Sequence, residues 1–218
     1  MRNLFPLAPI FLDLAGRSVL FLNGDAPLAR LARSMLDCGA GITIIDAAPD
    51  GAFEALAPPA RIVRRRWRAA DFKGAALVIA GAGERRAQQA KASAKAARAF
   101  FYMAEAPELS DLAFGAIHTT EALAIGVSTP AAPGAVQDVV REKLAGTVPA
   151  RFQGFVAAAA DASGAVNRIM ADADAQTRFW HEAANAAFEA RPRDWRAWII
   201  ARAEKAAAGQ RRATRKKH

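Results

Sequence analysis

Apolar and polar positions change rhythm twice along the chain. From Arg17, short runs of apolar residues alternate with segments whose apolar positions recur every three or four residues. Ser18 to Leu22 (SVLFL) predicts a first strand, ending at Asn23-Gly24-Asp25. Leu28, Leu31, Ala32, Met35 and Leu36 follow at helical spacing, and Gly39 closes that helix. Ile42 to Ile45 predicts a second strand ending at Asp46, Arg61 to Val63 a weaker third, Ala76 to Ala80 a fourth and Ala99 to Met103 a fifth. Between the last two, Gly81-Ala82-Gly83 leads into a long Ala/Arg/Lys/Gln helix reaching about Arg98. Strands apolar throughout, with helices between them, predict a parallel sheet covered on both faces.

After residue 111 the pattern changes. Leu112 to His118 and Leu123 to Ser128 read as two adjacent strands in a hairpin-like pair. Beyond Pro133 the periodicity is helical: Val136 to Leu144, Phe152 to Ala160, Val166 to Met170, Thr177 to Phe188, and Trp195 to the end. The expected fold is therefore α/β, a Rossmann-like parallel-sheet domain (1–111), a small β-pair segment (112–146), an all-helical C-terminal part (147–204) and a basic tail (205–218). Two strands alone are marginal in water, so the β pair is expected to act as a homodimerisation segment.

Composition narrows the function classes. Of 218 residues 53% are hydrophobic, but 57 are alanine, so the larger apolar residues must build most of the core. The net charge of +9 is a tail property: Arg191 to His218 holds ten Lys/Arg and two acids, leaving twenty against nineteen in residues 1–190. No element of that near-neutral body interleaves basic and aromatic residues as a nucleic-acid surface would, so nucleic acid is not expected as a partner. The uncharged run Ala122–Gln137 contains two prolines and is too short to span a membrane. No signal peptide is visible, and the single Cys38 excludes a disulfide framework, so the cytoplasm is expected. The three histidines lack ligand spacing, and no metal site is expected.

The first strand-to-helix turn is the natural place to look for a dinucleotide. Such a turn uses three glycines, for the bend, for approach to the pyrophosphate and for helix–strand packing. Asn23-Gly24-Asp25 keeps one of them. Asn23 is able to take the left-handed conformation the bend needs. Asp25 is placed to cap the helix and to repel a phosphate there. Asp46, 22 residues after Gly24, stands where an acid would receive the ribose hydroxyls of NAD, or where it would simply cap its loop. Gly81, Ala82 and Gly83 would let a cofactor lie against the sheet, or form an ordinary turn. Glu105 ends the fifth strand and faces the expected cleft, as a general base or as a solvated acid before Pro107. The basic run Arg64, Arg65, Arg66 and Arg68 around Trp67 reads as a solvated strand edge.

The opening Pro9-Ile10-Phe11-Leu12-Asp13-Leu14-Ala15-Gly16-Arg17-Ser18-Val19-Leu20 resembles that of the precorrin-2 dehydrogenase/sirohydrochlorin ferrochelatase family, the siroheme-making half of siroheme synthase. The likeness continues through Ala29 to Arg33, Glu105-Ala106-Pro107, Val127-Ser128-Thr129, Arg141 to Leu144 and Arg178-Phe179-Trp180, covering about residues 5–190. It implies an oxidoreductase that converts precorrin-2 to sirohydrochlorin with NAD, with ferrochelation as a further activity, and a homodimer. The family's glycine-rich turn falls on Asn23, Gly24 and Asp25, and its loop after the fourth strand on Gly81, Ala82, Gly83 and Glu84. Its general base, an aspartate before Ala-Pro, falls on Glu105, and its lysine after Ala-Pro on Glu108, a charge reversal. Its Ser-Ser-Gly-Gly turn falls on Ser128-Thr129-Pro130-Ala131. A polycarboxylate tetrapyrrole needs basic groups, and Arg141 and Lys143 beside Ser128 and Thr129 are the expected substrate contacts. The altered NAD turn leaves a second reading: a non-catalytic tetrapyrrole-binding or regulatory relative that has lost the cofactor.

Overall fold

A computed structural model describes residues 7–129 and 134–215 of the chain; Pro130, Ala131 and the tip of the basic tail lie outside the described residues. The chain divides into two compact units, Met1–Phe114 and Gly115–His218.

In the first unit the elements run β1 (Ser18–Leu22), α1 (Ala26–Asp37), β2 (Gly41–Ile45), α2 (Gly51–Glu54), β3 (Arg61–Val63), β4 (Ala75–Ala80), α3 (Ala87–Ala96) and β5 (Phe100–Met103), with 3-10 turns at Ala69–Phe72 and Pro107–Leu109. All five strands are parallel, in the order β3-β2-β1-β4-β5. The chain steps outward from β1 to β3, then returns to the other side of β1. That reversal leaves a crevice at the carboxyl ends of β1 and β4, the position where such sheets hold ligands.

Burial on both faces, as the apolar runs predict, follows from the alternation of side chains along each strand. Val19 and Phe21 of β1 join Ile42, Ile44, Leu77 and Ile79 beneath α1 and Phe53. Leu20 and Leu22 point the other way, with Val78, Ala80 and Phe101, beneath Ala90 and Ala94 of α3 and the rings of Trp67 and Phe72. Gly39 ends α1 as expected, at φ +81, with its N–H on Leu36 and the next on Met35. Helix α3 starts later than the sequence suggests, at Ala87, because Glu84 folds inward and its carboxylate accepts the Arg86 N–H.

Both borders of the sheet are finished locally. The outward N–H groups of Phe101 and Met103 on β5 donate to Asp111 Oδ2 and Ser110 Oγ, each at 2.9 Å. Lys91 pairs with the other Asp111 oxygen. On the far side, β3 is three residues long.

The second unit holds an antiparallel pair, β6 (Ala116–Thr119) and β7 (Ala124–Val127), then α4 (Gly134–Thr147), α5 (Ala150–Ile169), α6 (Ala173–Ala187) and α7 (Trp195–Arg215). The expected strand from Leu112 is shorter, because Leu112 and Phe114 pack on the core of the first unit instead. The two expected helices at 152–160 and 166–170 are one. Ser163 and Gly164 do not interrupt α5; Phe155, Ala162 and Val166 keep one buried face through them. Alanine serves this unit directly. Ala162, Ala175, Ala183, Ala187 and Ala203 are all buried where α5, α6 and α7 meet, and so small a side chain lets helices approach closely. At one end the rings of Phe152, Phe155, Phe188, Trp195 and Trp198 stack and cross.

Candidate functional site

Four acids stand after the strands of the first unit: Asp25 after β1, Asp46 after β2, Glu84 after β4 and Glu105 after β5. Their surroundings differ sharply, and so do the tasks open to them.

Asn23 adopts the left-handed conformation expected of it, φ +51. Asp25 is the N-cap of α1; its Oδ1 accepts the Leu28 N–H at 3.0 Å. Pro27, in the first turn, has no N–H to offer. A helix start binds a phosphate through its unpaired N–H groups and its partial positive charge. Here one donor is taken, one is missing and a carboxylate already answers the charge. The pyrophosphate of a dinucleotide does not fit this helix terminus as it stands.

The β1 and β4 turns also touch. A Cβ on Gly81 would lie 2.8 Å from the Asn23 carbonyl oxygen, so only glycine lets the turns close on one another. Ala82 and Gly83 are exposed beside them. Asp46 uses Oδ1 to accept the Ala48 N–H at 2.9 Å, the loop cap that was the simpler of its two readings.

Sequence reasoning passed over the most heavily bonded group in this crevice. Glu84 is 5% exposed. Its Oε2 accepts from Asn23 Nδ2 at 2.9 Å and from Trp67 Nε1 at 2.6 Å, and its Oε1 from the Arg86 N–H at 2.7 Å. The Arg86 guanidinium lies 3.7 Å from the Trp67 ring centre, with Nε 3.8 Å from Glu84 Oε1. Burying a carboxylate requires such a set of donors. Trp67 comes from the loop after β3, so its bond to Glu84 reaches past the carboxyl ends of β2 and β1. The basic run around it is therefore not merely solvated: Arg64 pairs with Glu54, and Arg65 grips both oxygens of Asp71 at 2.7 Å. A tryptophan alone among arginines was the available signal, since its ring is costly to leave in water.

Glu105 is exposed in the turn after β5. Burial first, and then the charge of Glu105, push the Tyr102 phenol above its ordinary range. Nothing encloses the carboxylate, which leaves it reachable by a ligand.

The remaining expected contacts belong to the second unit. Ser128 is exposed after β7, and Thr129 donates its N–H to Gln137 Oε1 on α4 at 3.1 Å. Arg141 already pairs with Asp138 and Glu142, while Lys143 is exposed. Among the described residues no group of three His, Cys, Asp or Glu side chains is placed to hold a metal ion, and no helix is long and apolar enough to cross a membrane.

Comparison with known proteins agrees with the fold. Residues 10–116 match the family model described as "Putative NAD(P)-binding". Siroheme synthase of Methylococcus capsulatus is 28% identical over 211 residues, 93% of this chain and 44% of that protein. Siroheme synthase of Pseudomonas putida is 29% identical over 175 residues, 79% of this chain and 38% of that protein. The chain thus spans roughly two fifths of the length of these relatives. Among solved structures, SirC, precorrin-2 dehydrogenase, superposes with a TM-score of 0.65 at 16% identity, covering 91% of this chain and all of that one.

Proposed function

We propose that this chain, which belongs to the precorrin-2 dehydrogenase family, serves siroheme biosynthesis by oxidising precorrin-2 to sirohydrochlorin, with NAD as its dinucleotide. The observation that carries the reading is the continuity of the likeness to siroheme synthases across 93% of the chain, over an NAD(P)-binding-type sheet. The oxidation removes a hydride and a proton from the tetrapyrrole. The proton is the share that this chain's own groups take, and Glu105, exposed at the carboxyl edge of the sheet, is the base. The electrons belong to the dinucleotide. Its pyrophosphate does not fit the start of α1, so no residue is given a part in the hydride transfer.

Ser128, Thr129, Arg141 and Lys143 are the proposed contacts to the substrate's carboxylates. Of these Lys143 carries a charge without a partner among the described residues, whereas Arg141 would have to share its own with Asp138 and Glu142. Ferrochelation of the product, with Glu105 taking the pyrrole protons as iron enters, belongs to the same reading.

The segment 112–146 is the proposed dimerisation element, between a nucleotide-binding-type domain (1–111) and a helical domain (147–204). Helix α4 supports this: no residue in it is buried within the chain, and Val136, Val139, Val140 and Leu144 form an exposed apolar stripe at helical spacing. The free, exposed thiol of Cys38 suits a reducing cytoplasm.

Asp25 and Pro27 favour a second reading, a tetrapyrrole-binding relative that no longer uses the dinucleotide. Anaerobic incubation of the purified chain with precorrin-2 and NAD separates the two. Conversion to sirohydrochlorin with matching formation of NADH supports the dehydrogenase. Bound but unconverted precorrin-2 supports the non-catalytic relative.

A further inference from the structure

We infer that Glu84 sets dinucleotide affinity through Asn23: the buried carboxylate latches the β1–α1 turn shut across the crevice, and a dinucleotide enters only when Asn23 lets go. This inference rests on the dehydrogenase reading above.

The bond is specific in direction. A carboxylate only accepts, so the amide nitrogen of Asn23, not its oxygen, must face Glu84. It joins residues 61 positions apart, one in the turn after β1 and one in the turn after β4. These are the two turns between which the crevice of such a sheet opens. Their backbones already touch at Gly81 and Asn23, and the side-chain bond spans the same gap. Glu84 itself is not free to follow a moving turn. Trp67 Nε1 and the Arg86 N–H hold its two oxygens, and the indole is in turn covered by the Arg86 guanidinium. The latch is thus a mobile hook on a fixed post. Asn23 sits at φ +51, a conformation glycine adopts at no steric penalty. A glycine there would keep the bend and lose the hook. Glu84 is accordingly a positioning residue; it need not touch a ligand to control its access.

The experiment is a calorimetric titration of the full-length chain with NAD, alongside a thermal melt of each variant. Asn23→Gly removes the hook and is expected to tighten NAD binding about tenfold, the weight of one hydrogen bond to a charged group. Trp67→Phe removes the other bond to the same Glu84 oxygen but leaves the hook in place. It is expected to lower the melting temperature without tightening binding. Affinity unchanged in Asn23→Gly while the unaltered protein binds NAD overturns the latch and leaves the dehydrogenase reading standing. Equal tightening by Trp67→Phe also overturns it, because general loosening would then suffice. Binding detected in no variant, with Asp25→Gly added to Asn23→Gly, overturns both the latch and the use of NAD.

Discussion

The ring of Phe53 occupies the space that a side chain at residue 24 would need: a Cβ on Gly24 would stand 2.1 Å from Phe53 Cε2. Phe53 is fully buried and meets Phe21 edge-on at 5.7 Å. The single glycine surviving in the first turn is therefore demanded by the core beneath it, whatever passes above. Gly24→Ala is expected to destabilise the chain by about 1–3 kcal/mol through overpacking. Adding Phe53→Leu should return part of the loss. Urea denaturation measures both, and an unchanged midpoint in Gly24→Ala would mean the ring swings aside freely.

Asp25→Asn keeps an acceptor for the Leu28 N–H while removing the charge. A full charge about 4 Å from a phosphate is unfavourable by about 1–4 kcal/mol between water and a protein surface. NAD affinity is therefore expected to rise about fivefold or more, read by calorimetry. Micromolar or tighter binding by the unaltered chain would place the Asp25 carboxylate away from the phosphate.

Glu105→Gln retains size and shape but cannot accept a proton. Conversion of precorrin-2 should fall about a hundredfold or more, with tetrapyrrole binding little changed. Full turnover in this variant would reduce Glu105 to a surface residue and return the proton to another base.

Stability should decline in acid. The hydrogen bonds from Arg65 hold the Asp71 carboxyl below its ordinary range. At Asp111 burial pushes the carboxyl upward, but the bonds from Lys91 and the Phe101 N–H, with the charges of Lys91 and Lys95, bring it below. A carboxyl lowered by folding contributes stability that is complete above its unfolded value, about 3.9, and is lost as pH falls through the lower folded value. Urea midpoints should be level near neutrality and drop below about pH 4. Asp71→Asn and Asp111→Asn should each flatten that drop, and a drop of equal steepness in both would assign it to other groups.

Sedimentation should show a dimer at micromolar concentration. Val139→Asp, in the centre of the exposed stripe on α4, should yield the monomer with the fold intact by circular dichroism. A 23 kDa monomer for the unaltered chain would remove the dimer.

How much of this was legible depended on the range of the forces involved. The apolar runs at Ser18 to Leu22 and Ala76 to Ala80 marked strands to within one residue, because burial on both faces leaves a continuous local record. Asp25 was equally readable: an acid just before Ala-Pro-Leu caps a helix by contacts within three residues. Glu84 was not. Between Gly83 and Arg85 it looks like any turn acid, and what buries it comes from Trp67 and Asn23, 17 and 61 positions away. The apparent break in α5 misled for the opposite reason. Ser163 and Gly164 are weak helix formers on their own, but packing on α7 outweighs local preference.

The treatment of β5 has a consequence for how the protein survives at high concentration. A bare outer strand is a template on which another chain can polymerise, and an alternating sequence such as Phe100 to Met103 would be an inviting one. Asp111 and Ser110 plug the two donors such a growing fibril would use, while β3 at the opposite border is too short to seed one. Aggregation by sheet extension is thereby closed off in the folded state. It becomes available when the Lys91–Asp111 clasp is lost, so acid that protonates Asp111 should bring turbidity before it brings full unfolding.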